Sequence, residues 1–426
     1  MANSFDSNIT RKLARVFLEK FESARVLSKN VNTQLLSGKF NPSSGAYVDF
    51  KRPVDYTTTR TSAGDISGSS PDDITTGKAT GTVQNYFTTW VDFTEADEAI
   101  KMDQIDQLLA PMATRIVTDL ELDFASYMMK NSGLYAGTIG TGADAWSDVA
   151  EASAVMKSHG VPQDDMWCYA VNPYTEVALA AAQRSLGAGG SAGDLVSEAH
   201  RKAILSDDFA GMRVMSATTL PSYTTHSGAD RVGAIDTGGI DVTYATAKDT
   251  MTQTISVTGF QANLQVRAGD ILQIAGRYHL NKNTREVILD EAGNKKLFTG
   301  VVTTAVTLDG SGEGDITIAG PAIYESGGAY NTVDSAPVAT DVVTLLGAAS
   351  TTYQPNLFWH KQAFSMGFVP MKKLYSTDTL ATTEDGVQMR VSKYADGDKN
   401  IQTVRFDIRP AYATLNPFFA GHGYGT

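Results

Sequence analysis

Histidine is the side chain best suited to move protons near neutral pH and to hold transition metals, so its spacing is the first thing to read. This chain has six, His159, His200, His226, His279, His360 and His422, and only His200 and His226 lie within forty residues of each other. No HExxH occurs, so two zinc ligands one helical turn apart are absent. GKATG, from Gly77 to Gly81, has the look of a phosphate loop. It lacks the upstream glycine and carries Ala79 where a hydroxyl would hold magnesium, so it reads as a glycine-bearing turn. Asp309, Ser311, Glu313 and Asp315 alternate as calcium ligands do, but Gly320 stands where the bidentate glutamate belongs, which leaves a hairpin turn. There is no GxSxG elbow, and Cys168 sits in the apolar run MWCYAV as a buried thiol. Trp90, Trp146, Trp167 and Trp359 are scattered and read as core residues. No catalytic residue, cofactor or metal site is expected.

Those residues sit in a chain of 426, which is 42% hydrophobic and 19% charged, the composition of a folded protein of two or three domains. No apolar stretch approaches the ~18 residues of a membrane span, so no membrane partner is expected. The N-terminus has no apolar run ahead of a small-residue cleavage site, so no secretory signal is expected. A single cysteine excludes an internal disulfide framework and suits a reducing compartment. The net charge of −12 disfavours a protein that grips nucleic acid through phosphates. The charge is unevenly spread: residues 222–352 carry 8 basic and 14 acidic residues, and the first thirty carry 6 basic against 3 acidic.

Apolar residues at helical spacing predict an amphipathic helix over about 9–27, with Arg11, Lys12, Arg15 and Lys20 on its other faces. Residues 38–82 are rich in Ser, Thr, Gly and Asp and too long for an ordinary connection. Alternating runs at 47–50 and 83–93 bracket them, which predicts a long projecting hairpin that needs a neighbouring chain to lie on. Leu108, Met112, Ile116, Leu120, Phe124 and Met128 recur every four residues and predict a rod helix over 111–130. An α+β pattern follows, with helices at 148–158, from Pro173 behind the capping Asn172, and at 195–205, and a buried strand at 166–171. Residues 222–352 hold 16 of the 38 glycines and lose helical periodicity. Short strands there, at 254–258, 271–275, 299–308, 315–318 and 338–345, predict an inserted antiparallel barrel. Strands return at 387–391, 401–408 and 412–415.

This order of elements resembles the Hong Kong 97-type major capsid proteins of tailed bacteriophages. The barrel and the strings FKRP from Phe50, GDISG from Gly64, GKATG from Gly77, RIVTDLE from Arg115, KYADGD from Lys393 and RFD from Arg405 are similar to those of the short-tailed lambdoid branch, the Salmonella phage P22-like and Shigella-phage-like coat proteins. The resemblance implies an α+β Hong Kong 97-type fold with an inserted β-barrel. Its parts would be an N-terminal arm at 1–45, an extended loop at 46–93, and a spine helix with peripheral domain at 94–133. An axial domain would occupy 134–221 and 353–385, an insertion domain 222–352, and the C-terminal peripheral strands 386–426.

It also implies a non-enzymatic shell protein that forms hexamers and pentamers, assembles with a scaffolding protein and a portal protein in the host bacterial cytoplasm, and encloses double-stranded DNA without sequence-specific binding. Arg11, Lys12 and Arg15 are then expected to meet scaffold or the inner surface. Arg60, Asp65 and Lys78 on the loop, and Asp241, Lys248 and Asp249 on the barrel, are expected at subunit interfaces. A cellular nanocompartment shell of the same fold would share the body without explaining the acidic barrel. A β-rich adhesin would leave the rod helix unexplained.

Overall fold

The computed structural model describes residues 14–15, 18–19, 21, 24–33, 47–70, 72–94, 105–164, 167–186, 205, 208–236, 242–375, 378–383, 386–396, 398 and 401–426. The chain is mixed α/β and divides into two compact units. The predicted helix over 195–205, and most of that over 9–27, lie outside the described residues.

The first unit comprises Met1–Asp49, Thr80–Ala125 and Phe364–Thr414. Its four-stranded antiparallel sheet runs, in spatial order, Thr379–Thr382, Gln388–Asp396, Ile401–Ile408 and Phe87–Thr94. An ion-paired centre ties this sheet together. The fully buried Asp407 accepts from Arg390 Nη2 at 2.5 Å, from Arg405 Nε at 2.7 Å and from Thr88 Oγ1 at 2.7 Å. With both oxygens paired, the buried carboxylate escapes the cost of an unmatched charge. The long helix, Ile105–Lys130, begins more than a turn before Pro111 and buries Ile116, Leu120, Phe124 and Met128 of the predicted stripe, with Met112 half-buried. Glu121 on this helix is 1% exposed and fixes the chain near the N-terminus. It accepts from the backbone N–H of Leu27 at 2.7 Å and of Ser28 at 3.1 Å, and from the Ser28 hydroxyl.

The second unit comprises Phe50–Ala79, Ser126–Ala363 and Leu415–Thr426. Its barrel is closed by six antiparallel strands in the order Ile271–Tyr278, Leu297–Val302, Gly314–Ala319, Thr252–Thr258, Val232–Ile235 and Val342–Leu345. Alternate residues point inward, so Ile255, Val257, Ile274, Phe298, Ile316, Ile318, Val343 and Leu345 make a buried hydrophobic core. The predicted strand over 299–308 is two strands, Leu297–Val302 and Val306–Thr307, because the second pairs with Gln265–Val266 in a separate ribbon. The chain enters and leaves the barrel through a paired neck, Tyr223–Thr224 against Thr352–Tyr353.

A five-stranded mixed sheet completes this unit, in the order Leu134–Ala136, Ala420–Gly423, Asn356–Trp359, Trp167–Val171 and Met212–Ser216. Every residue of Trp167–Val171 is buried, Cys168 included. The helix Pro173–Leu186 starts where Asn172 Oδ1 accepts from Thr175 N at 2.8 Å, as its sequence predicts.

Two expectations are corrected. GKATG is not a turn. Lys78–Val83 is a strand in a sheet of order Tyr47–Lys51, Lys78–Val83, Pro410–Thr414, Phe364–Phe368, since Thr82 and Val83 pair with Tyr412 and Ala411. The four tryptophans are not all core. Trp167 and Trp359 are, at 3% and 0% exposure, but Trp90 is 63% exposed on a strand at the edge of its sheet, and Trp146 is 49% exposed at the first turn of the helix Trp146–Ser158.

Candidate functional site at the root of the extended loop

The polar stretch predicted to project does so from a built root, and both of its strands contribute. Arg52 comes first. Its N–H donates to Gly77 O at 2.8 Å and its Nε to Lys78 O at 3.2 Å, closing the loop across its base. The guanidinium is buried, and that desolvation lowers its pKa to about 10, opposed by the fields of Tyr244, Asp249 and Tyr127. A buried arginine held by carbonyls is a fixed corner rather than a surface charge.

Gly77 is the second element. A Cβ there would stand 2.6 Å from Lys248 O and 3.1 Å from the Tyr244 hydroxyl, so only glycine lets the loop strand approach the short helix Tyr244–Ala247 so closely. One residue on, Lys78 N donates to Asp249 Oδ1 at 3.1 Å. The third element lies slightly further out. Tyr330 stacks on Tyr244 with ring centroids 3.6 Å apart and 2° between planes, and its hydroxyl accepts from Asp55 N at 2.9 Å and donates to Thr75 O at 3.4 Å. Asp55 Oδ2 pairs with Arg285 Nη2 at 2.5 Å, while Arg285 Nη1 holds Asn331 O at 3.0 Å. Arg285 takes a left-handed φ of +59°, and its pKa is lowered first by burial, against the attraction of Asp55.

Beyond this root the loop is wet. Residues 56–70 are all exposed, among them Tyr56 and Ile66, and Ile74 is 72% exposed on the returning side. Its internal order is local: Asp72 accepts from the Thr57 hydroxyl at 2.7 Å, and Asp65 accepts from Ser67 N at 2.9 Å. Both carboxyls are held below the usual range by these bonds, the Ser67 side chain leading at Asp65 and the Thr57 N–H at Asp72.

The predicted contact residues therefore fall into different settings. Arg60 and Asp65 lie in the exposed outer loop. Lys78 lies at the root, not the tip. Lys248 and Asp249, expected with Lys78 at contacts between subunits, meet it inside one chain, through the Lys248 carbonyl against Gly77 and the Asp249 carboxylate on the Lys78 N–H. Arg15 is exposed and helical, whereas Arg11, Lys12 and Asp241 lie outside the described residues. Sequence reasoning missed Arg52, Asp55, Tyr244, Arg285 and Tyr330. The one local signal was Arg52-Pro53, an arginine at the mouth of a polar stretch.

Among the described residues no group of three His, Cys, Asp or Glu is placed to hold a metal ion, and no helix is long and apolar enough to cross a membrane. Asp309 instead accepts from Ser311 N at 2.8 Å and Glu313 N at 2.9 Å, the hairpin turn that its spacing predicts. His159 and His279 do meet, edge to face with ring centroids 4.8 Å apart, but His279 is buried and His159 half-buried, and desolvation drives His159 down to about 4 and His279 well below its usual value.

Comparison with known proteins gives a consistent picture. A family model described as P22 coat protein, gene protein 5, matches residues 1–425. A major capsid protein from Acyrthosiphon pisum secondary endosymbiont phage 1 is 36% identical over 429 residues, covering all of both chains. Among solved structures, one from Mycobacterium phage Che8 has a TM-score of 0.47 at 12% identity, covering 93% of this chain and 90% of that one. The capsid of cyanophage P-SCSP1u has a TM-score of 0.45 at 10% identity, covering 90% and 84%.

Proposed function

This chain belongs to the P22 coat protein family and is a phage major capsid protein, and from that premise we propose that it closes, as hexamers and pentamers, into the icosahedral shell of a tailed bacteriophage. The family is one of structural proteins, and the shell is part of the virion. The observation that carries the reading is the match over residues 1–425 together with 36% identity along the whole of a phage major capsid protein.

The geometry supports a division of labour within the subunit. A shell is held by many modest contacts repeated by symmetry, so a subunit needs a reach that is aimed accurately and a contact surface that stays available. The root built from Arg52, Gly77, Asp55, Arg285 and Tyr330 aims the loop, and the exposed residues 56–70 meet the neighbour, with Arg60 and Asp65 among them. Assembly proceeds in the host bacterial cytoplasm on a scaffolding protein, around a portal, with Arg11, Lys12 and Arg15 of the N-terminal arm at the scaffold or inner surface. Double-stranded DNA fills the shell without sequence-specific binding, consistent with a chain of net charge −12. We read the same family membership as support for a Hong Kong 97-type division into arm, loop, spine, peripheral, axial and insertion domains.

Electron microscopy of the protein expressed with and without its scaffolding protein tests this. Closed uniform shells with scaffold and aberrant particles without it are expected. A small discrete oligomer under both conditions would overturn the proposal.

A further inference from the structure

The last carbonyls of a helix need donors from outside it, and at the end of Trp146–Ser158 the barrel supplies them. Asn281 Nδ2 donates to Ser158 O at 2.7 Å, Lys282 N to His159 O at 3.3 Å and Asn283 Nδ2 to Gly160 O at 3.4 Å. Three successive carbonyls are thus held by three successive residues of the turn that follows the barrel strand Ile271–Tyr278. Two histidines line this joint. His159 Nδ1 faces Val155 O at 2.8 Å. A carbonyl only accepts, so Nδ1 carries the proton and Nε2 holds a lone pair, enclosed and without a hydrogen-bond partner. On the barrel side, His279 is 4% exposed and packs against the Phe298 ring. Its Nε2 accepts from Thr299 N at 3.1 Å and so also holds a lone pair. The two imidazoles meet edge to face, 4.8 Å apart.

A second proton is badly placed on either ring. On His159 Nε2 it would meet no acceptor, and on His279 Nε2 it would oppose the Thr299 N–H, with only the Thr299 hydroxyl, at 3.3 Å, able to turn toward it. The charges nearby do not compensate. Lys157, Lys282 and Lys295 lie over the rings of Trp167, Phe419 and Tyr278, Arg277 pairs with Asp341, and Asp164 pairs with His360. Lys296 offers its carbonyl to His279 N, Asp334 accepts from Tyr278 N, and Glu286 is exposed. Among the described residues no carboxylate meets either ring.

We propose that the His159–His279 pair is an acid-operated latch: a proton taken up by either ring opens the joint and frees the barrel from the helix end, with both still folded. In the closed joint desolvation holds His159 at about 4 and His279 well below its ordinary value, and opening returns each to about 6.5. The closed values lie below the open ones, so the latch is firm above about pH 6.5 and loosens as pH falls from there toward 4. For His159 alone the opening equilibrium rises about thirtyfold between pH 7.5 and 5. Opening is local and leaves the barrel core intact, where burial of Asp270 acts in the opposite sense. The inference concerns the single subunit and goes beyond its assembly.

Hydrogen exchange on the unassembled full-length chain, corrected for the intrinsic pH dependence of amide exchange, tests it. Between pH 7.5 and 5, protection over 156–161 and 279–284 is expected to fall about thirtyfold, while the strands Trp167–Val171 and Gly314–Ala319 hold theirs. His159→Asn combined with His279→Gln keeps a donor toward Val155 O and an acceptor toward Thr299 N without an ionisable ring, and is expected to hold protection at both pH values. Unchanged protection in the parent would overturn the proposal, and so would an equal fall in the double variant, which would assign the opening to another group. Should the double variant not fold at pH 7.5, the imidazole resonances of the parent decide. Both rings are expected to stay neutral until the joint loses protection, and a ring that titrates near 6.5 inside a joint still protected would refute the latch.

Discussion

The root and the outer part of the extended loop belong to one continuous polar stretch of similar composition, yet they are built in opposite ways. At the root, Arg52 is buried, Gly77 lies against a backbone carbonyl, and Asp55 is clamped by Arg285 and Tyr330. Twelve residues outward from Arg52, a Cβ added at Gly64 would meet nothing within 4 Å, and none would at Gly68. A structure that must reach another molecule is best served by this contrast. Precision is invested where the lever is short, and the outer loop keeps only local partners, Thr57 on Asp72 and Ser67 on Asp65. The difference teaches that exposure in an isolated subunit is not the same as lack of function.

The contrast is broken most severely at Gly77. Gly77→Val forces a side chain into the Lys248 carbonyl and is expected to destabilise the second unit by about 1–3 kcal/mol, as overpacking does, and to abolish shell closure. Gly68→Ala, at the other end of the same loop, is expected to stay within about 0.5 kcal/mol of the parent by thermal melting. Equal effects at the two glycines would remove the distinction.

A smaller loss is expected at the clamp. Asp55→Ala and Tyr330→Phe each remove a partner of the same loop segment, at a cost of about 1 kcal/mol apiece, since the Asp55–Arg285 pair is partly solvated. A double-mutant cycle of Asp55→Ala with Arg285→Ala should give a coupling well above zero, while Arg60→Ala in the outer loop should leave stability unchanged.

Acidity separates the barrel that carries the root from the outer loop by sign. Asp270 lies in the barrel with no exposure, held by Arg267 N at 2.7 Å and His226 N at 3.3 Å, and burial outweighs these bonds to push its carboxyl up to about 7. Its folded value lies above the unfolded one of about 4, so its contribution is complete below about pH 4 and is lost as pH rises through about 7. Melting temperature should therefore fall between pH 5 and 8.5 in the parent and fall less in Asp270→Asn. Asp65 and Asp72 are shifted downward, so their turns are held above the unfolded carboxylate range and released as pH falls through the folded values. The smallest effect concerns the outer loop: cleavage by trypsin after the exposed Arg60 should precede cleavage after Arg285, whose side chain the root holds.

How much of this was legible beforehand varied with the physics of each element. The rod helix was, because a four-residue apolar stripe has one sensible conformation, and so were most barrel strands, where alternation and turn residues agree. The reading of GKATG, from Gly77 to Gly81, as a turn failed because its two glycines outweighed a pairing that becomes visible only when Pro410–Thr414 lies alongside. The tryptophans misled because size favours burial on average, while Trp90 sits on an edge strand with its ring outward. The root was almost invisible, since Asp55 and Tyr330 are 275 residues apart and neither carries a motif.

From the sequence alone came what depends on near neighbours and totals: the helical stripe, the Asn172 cap, the turn at Asp309, the buried Cys168, the acidic barrel region and the ordered strings that resemble phage coat proteins. Tertiary structure alone decided what depends on distant partners. It placed Gly77 against Lys248, brought Asp249 to Lys78 within one chain, stacked Tyr244 on Tyr330, and fixed Leu374 and Tyr375 in the open. The reason is the range of the forces involved. Backbone propensity and hydrophobic period act over a few residues and leave their mark in order. A close approach or a stacked pair is set by the closure of the whole fold, and one chain read along its length carries no record of it.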